Sequence, residues 1–228
     1  MTEQIQAGAN KNMSSSSGGP VAAVAVRERV TVWGGGASPY AVPSKKLGMW
    51  LFIVSDAITF SAVIFSYGYL RLAATAWPRP FEAPSIANAT VMTFVLLSSS
   101  VAMVLAVRAS SMGKVAAAVG WLVATALGGV IFDVLHIHEW LGLIGEGVRP
   151  FHNPWGTPMF GAAFFSMTGL HMLHVTIGVL YLLIIALGFG RRKFSAVDVE
   201  VSGLYWHFVD LVWMFIFPLV YLLSAKTA

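Results

Sequence analysis

His207 and Asp210 are ionisable side chains set inside Tyr205 to Tyr221, a stretch otherwise apolar enough to cross a bilayer. A charged group at that depth costs at least ~2.5 kcal/mol, so it normally faces protein or a water-filled cavity and not lipid. Glu200 stands two helical turns before His207 on one face, with Asp210 one turn beyond. This is an acid, a base and an acid leading inward from a membrane surface. Such a line suits proton relay, or the grip of a lipid head group with Arg191, Arg192 and Lys193 as phosphate partners; a charged helix start that anchors the segment at the interface fits equally. Trp206, Asp210, Trp213, Phe217 and Tyr221 share a face at helical spacing, an aromatic stripe expected to pack on a neighbouring helix.

Two further places carry chemistry-bearing residues in apolar surroundings. Asp56 lies among Ile53, Val54, Ile58 and Phe60. For both Asp56 and Asp210 the residues leave open a hydrogen-bonded carboxyl that fixes helix packing or a carboxyl that handles protons. His171 and His174 are three residues apart and point to one side, with Gly178 a turn further on allowing close helix approach. Two histidines on one helix cannot take opposite faces of one haem, so interhelical hydrogen bonding is the simpler reading and a haem needs a partner helix. His136-Ile137-His138-Glu139, at the outer end of the third apolar segment and leading into a loop, is a weak metal-ligand pattern that surface polarity explains as well.

The elements that must position these residues are membrane spans. The 228 residues are 57% hydrophobic and 11% charged, with a mean hydropathy of +0.75, which indicates a single all-α, polytopic membrane domain. Five apolar segments near the ~20-residue length of a span run at about 47–70, 87–107, 115–135, 159–188 and 202–223. Residues 1–43, with Ser14 to Ser17 and Gly34 to Gly36, read as a flexible cytoplasmic tail ahead of the membrane domain over 44–228. With the amino terminus inside, ten of the fourteen Lys and Arg fall on the cytoplasmic side, which favours N-in, C-out. Asp56 and Asp210 then sit at similar depths, about 12–15 Å from the cytoplasmic ends of their spans. With no cysteine, the chain by itself builds no disulfide, iron-sulfur cluster or thiolate copper site. It carries no phosphate-binding glycine loop, and its basic residues flank spans where they report topology, so no nucleic-acid partner is indicated.

Three runs resemble the cytochrome c oxidase subunit 3 family over Lys45 to Leu223: Gly48-Met49-Trp50-Leu51-Phe52-Ile53-Val54-Ser55-Asp56, then Thr168-Gly169-Leu170-His171-Met172-Leu173-His174-Val175 with Gly178, and Tyr205-Trp206-His207-Phe208-Val209-Asp210 with Glu200 upstream. Five spans correspond to the shorter bacterial form. Asp56 stands where the family carries a buried glutamate that reacts with hydrophobic carbodiimides, and His136 to Trp140 replaces its Q-x-x-E-Y. The resemblance implies a non-redox accessory subunit III of a proton-pumping haem-copper oxidase in the bacterial inner membrane. It implies no cofactor on this chain, haem and copper on partner subunits, direct packing on subunit I alongside subunit II and other respiratory subunits, and structural phospholipid in a cleft between the first two helices and the rest. Asp56 and Asp210 are then the proton-related carboxyls; Glu200, His207, His171, His174, Arg191 and Arg192 serve lipid binding or packing. The alternatives are an accessory subunit of a nitric oxide reductase and a stand-alone membrane carrier or haem anchor.

Overall fold

The computed structural model describes residues 43–155 and 157–226; the tail expected over 1–43 lies, apart from Pro43, outside the described residues. The described residues form five helices and no strand: α1 (Ser44–Ala73), α2 (Ala83–Ser111), α3 (Val115–Gly145), α4 (Pro158–Gly190) and α5 (Ala196–Ile216), the last continued by a π-helical turn, Phe217–Leu222. All five are long and apolar enough to cross a membrane, as expected. Each begins earlier or ends later than its apolar segment, α3 by ten residues at its far end. Hydropathy marks the depth of the hydrocarbon, whereas backbone hydrogen bonding carries a helix on into the polar interface. His136, His138 and Glu139 are therefore helical, and the connection expected from His136 to Pro158 begins only after Gly145. Because α5 starts at Ala196, Asp210 lies fourteen residues in and Asp56 twelve residues into α1, about 21 and 18 Å from the helix starts; their positions along the two helices remain similar.

α2, α3, α4 and α5 close into a ring in which each packs on its sequence neighbour and α2 also meets α5, while α1 leans on α4 and α5 from outside. The bundle thus does not divide after its second helix, as the resemblance implied; α1 alone stands apart. Only Phe60 and Tyr67 of its thirty residues are buried. The core is aromatic and organised by α5, whose Trp206 and Trp213 are almost fully buried. Their indole N–H groups donate to hydroxyls of α2, Trp206 to Ser99 at 3.0 Å and Trp213 to Thr93 at 2.9 Å, so both of these buried indoles are satisfied. The stripe expected on α5 is present, and its last members are re-aimed by the π turn: Pro218 has no N–H to give the helix ladder, and Leu223 N–H reaches back to the Pro218 carbonyl at 3.0 Å.

Ion pairs and hydrogen bonds tie the ends. Lys45 bonds Asp198 and Lys46 bonds Glu200, each at 2.5 Å, joining the starts of α1 and α5. Asp198 also accepts the Ser195 N–H at 2.8 Å, closing a capping box at the start of α5. At the other end Arg71 donates to Ser224 Oγ and the Leu223 carbonyl, and exposed Lys226 bonds Glu82 at 2.7 Å, holding that carboxyl below its ordinary pKa by hydrogen bond and charge.

The Trp206 ring enters the bundle between Gly129 of α3 and Gly178 of α4; a Cβ at Gly129 meets both Trp206 and Val179 at 2.5 Å, and one at Gly178 meets Trp206 at 3.0 Å. The close approach at Gly178 is thus that of a side chain. Gly129→Val is expected to destabilise the bundle by about 1–3 kcal/mol through overpacking, read as a lower melting temperature in detergent. Gly120→Ala, with nothing within 4 Å of its new methyl, is expected to be neutral or to gain up to about 1 kcal/mol of helix propensity.

Candidate functional site

The buried polar groups gather in three places, of which the first joins three helices. His174 of α4 presents Nε2 to Asp56 Oδ2 of α1 at 3.3 Å, with both side chains about 12% exposed. The approach lies off the line of a good hydrogen bond, and Asp56 Oδ2 has no other protein partner. His174 Nδ1 lies 2.7 Å from the Leu170 carbonyl. A carbonyl only accepts, so Nδ1 carries the proton, and in a neutral ring Nε2 is then a bare lone pair. Asp56 and His174 thus bring a carboxyl and an imidazole face to face across the α1–α4 interface. Phe60 of α1 packs edge-on to the ring at 5.0 Å, and Tyr205 of α5 donates its hydroxyl to the His174 carbonyl at 2.9 Å.

The second place is the centre of the ring. His171, one turn from His174, is fully buried and stacks on Trp213 at 5.2 Å. His136 of α3 is equally buried, 5.5 Å from Trp213, and Phe132 lies edge-on to both imidazoles. Neither ring nitrogen of either histidine meets a protein hydrogen-bond partner, so both rings act as packing groups among aromatics. His138, next but one to His136, is exposed on another face of α3. The paired-ligand pattern of His136 and His138 is dispersed by the helix, and among the described residues no group of three or more His, Asp or Glu gathers as a metal site.

The third lies at the opposite end from Lys45: a cavity of about 240 Å³ lined by Ser85, Asn88, Glu139 and Glu146 among others. Glu139 is buried and accepts from Asn88 Nδ2 at 3.0 Å. Sequence reasoning missed Asn88, because a single amide in an apolar run has no pattern of its own.

The line expected from Glu200 through His207 to Asp210 is separated by its partners. Glu200 turns to Lys46 of α1, while His207 Nδ1 meets Ser100 Oγ of α2 at 2.8 Å. Asp210 is 7% exposed, with Oδ1 lacking a protein partner. Arg191 and Arg192 end α4, Arg192 in the left-handed region at φ 55°, and with Lys193 they stand at the same end of the bundle as Lys45 and Glu200.

Comparison with known proteins places this arrangement. A family model described as cytochrome c oxidase subunit III matches residues 31–225. The chain belongs to the cytochrome c oxidase subunit III family. Among its relatives, quinol oxidase subunit 3 of Bacillus spizizenii is 32% identical over 181 residues, covering 78% of this chain and 86% of that one. Cytochrome bo(3) ubiquinol oxidase subunit 3 of Pseudomonas aeruginosa is also 32% identical, over 78% of this chain and 84% of its own length. Cytochrome c oxidase subunit 3 of Alkalihalophilus pseudofirmus is 30% identical over 79% and 87%. The chain is thus a haem-copper oxidase subunit III and a multi-pass membrane protein.

The buried carboxyl gives a chemical test, because hydrophobic carbodiimides react with a protonated carboxyl and reach it from the membrane. Labelling is expected at Asp56 and is expected to vanish in Asp56→Asn. In His174→Leu, which removes the imidazole that faces the carboxyl, labelling should hold or rise. Unchanged labelling of Asp56→Asn, mapped by peptide mass, places the reactive acid elsewhere.

Proposed function

We propose that this chain is the non-redox accessory subunit III of a proton-pumping terminal oxidase of the bacterial inner membrane, with its amino terminus inside and its carboxyl terminus outside. It binds no redox cofactor, packs on subunit I beside subunit II, retains structural phospholipid, and helps protons reach the uptake path of the catalytic subunit. The observation that carries this reading is the family match over nearly the whole membrane domain, joined to relatives named as subunits of quinol and cytochrome c oxidases.

Three features support the finer points. Lys45, Lys46, Arg108, Lys114 and Arg191 to Lys193 collect at one end of the bundle, the end the positive-inside rule assigns to the cytoplasm. From that end Asp56 with His174, and Asp210, lie at matching depth, where groups able to hold a proton support exchange with a neighbouring uptake route. Between α2 and α3 an apolar groove of about 520 Å³, lined by Phe94, Ser98, Ala102 and Gly128 among others, suits an acyl chain, and the Arg191 to Lys193 cluster suits a phosphate.

A reporter fused after Ala228 is expected to be periplasmic and one in the Ser110 to Lys114 turn cytoplasmic; the reverse contradicts the orientation. An oxidase prepared without this chain is expected to keep its haem and copper spectrum and begin turnover, then to take up protons more slowly and lose activity within fewer turnovers. Loss of oxygen reduction from the first turnover, with the metal centres intact, contradicts the accessory role.

A further inference from the structure

The seam between α2 and α3 carries a polar cavity at the end opposite Lys45 and an apolar groove below it. On α2, Pro84, Asn88, Val91, Val95, Ser98 and Ala102 recur every three or four residues and share one face. The first two line the cavity of about 240 Å³ and the rest the groove of about 520 Å³. On α3 the groove takes Ala124, Gly128 and Ile131, and the cavity takes His138 and Gly142, again at one-face spacing, with Glu146 just past the helix end. From Val91 to Ala102 the groove rises about 16 Å, half of a hydrocarbon layer about 30 Å thick. The cavity stands where α2 begins at Ala83 and α3 ends at Gly145, so the seam has the proportions of one lipid in one leaflet. No lysine or arginine lines the cavity, and its polar groups offer acceptors. Glu139 is 8% exposed and accepts from Asn88 Nδ2 at 3.0 Å; together with the neighbouring Ser85 hydroxyl this serves two of the about four acceptor sites of a carboxylate. Asn88 Oδ1 accepts no hydrogen bond among the described residues, and neither it nor Glu139 is sealed off as Asp133 Oδ1 and Asp210 Oδ1 are. Exposed Glu146 adds a second carboxyl. Lys226, whose charge reaches Glu146, is already bonded to Glu82 at 2.7 Å.

We propose that the α2–α3 seam binds a phospholipid with a primary ammonium head, of the phosphatidylethanolamine class, with its ammonium in the Glu139 cavity and an acyl chain in the groove. Complementarity selects this head. An ammonium has three donors and no acceptor, and it meets Glu139, Asn88 Oδ1 and Glu146. A glycerol head brings an anionic phosphate toward two carboxyls with no cation to offset it, and a choline head brings positive charge without a donor. A bare metal ion fits less well, because among the described residues no group of three or more His, Asp or Glu gathers. The proposal rests on the reading of the chain as a lipid-retaining membrane subunit. It adds the place, the class of head group and, with the amino terminus inside, the outer leaflet.

The probe is an ethanolamine phospholipid with a photoreactive diazirine in one acyl chain, presented in phosphatidylglycerol vesicles to the full chain purified with the subunits that accompany it. Crosslinks mapped by peptide mass are expected within 91–102 and 124–131. Unlabelled ethanolamine lipid is expected to compete about ten-fold better than choline or glycerol lipid, the worth of one charge-assisted hydrogen bond. Glu139→Gln is expected to remove most of that preference, and Glu146→Gln, at an exposed position that leaves the fold intact, to lower it by a smaller factor. Ser98→Trp, which fills the groove from an exposed position, is expected to abolish the crosslinks. Crosslinking with no preference among heads, or a preference unchanged in both glutamate variants, makes the seam an unselective acyl surface and overturns the proposal. Lipid retained elsewhere with no crosslink at the seam overturns this site alone, whereas a purified chain that retains no phospholipid of any class overturns the lipid-retaining reading together with the site.

Discussion

The position of α1 depends on a polar contact across a helix interface, Asp56 of α1 against His174 of α4. A helix with two buried side chains out of thirty gains little from tight packing, and inside a bilayer the hydrophobic effect does not press it onto its neighbours. Polar contacts must therefore decide where it sits. The Leu170 carbonyl fixes the proton of His174 on Nδ1, that tautomer turns Nε2 toward Asp56, and Tyr205 steadies the backbone behind the ring. The two lysine pairs at one end, Arg71 at the other and the Asp56–His174 contact between them tie α1 to the ring. The last of these pairs a carboxyl with an imidazole at a depth where isolated charges are costly.

Much of this was legible in the residues. Span number, the aromatic stripe of α5 and the withdrawal of Asp56, His171, His174 and Asp210 from the lipid-facing surface follow from length, period and the cost of charge in lipid. What period cannot give is the partner. It places His171 and His174 on one side of a helix, yet one meets a carboxyl and the other only aromatic rings, because Asp56 comes from α1 and Trp213 from α5. Likewise Glu200 and His207 share a helix face in the sequence, and Lys46 and Ser100, on two different helices, draw them apart. Helix ends were misjudged for a simpler reason: the backbone ladder continues where hydropathy stops, which moved His136 and Glu139 from a loop into α3. The last span was read as one run over about 202–223, because a proline within an apolar segment does not by itself distinguish a helix end from the π turn found at Phe217–Leu222.

Membership of the subunit III family and the geometry of the bundle bear on different questions. The relatives include subunits named for both quinol and cytochrome c oxidases, so membership of the family does not by itself assign an electron donor. Asp56 stands on the loosely packed helix and Asp210 in the tightly packed ring.

If Asp56 and His174 form an interacting pair that holds α1 to the ring, a double-mutant cycle exposes it: thermal stability in detergent is measured for the wild type, Asp56→Leu, His174→Leu and the doubly substituted chain. The two losses are expected not to be additive, with a coupling of about 0.6–1.7 kcal/mol. Losses that add within error mean that the two side chains act independently, and that α1 is held by something other than their contact.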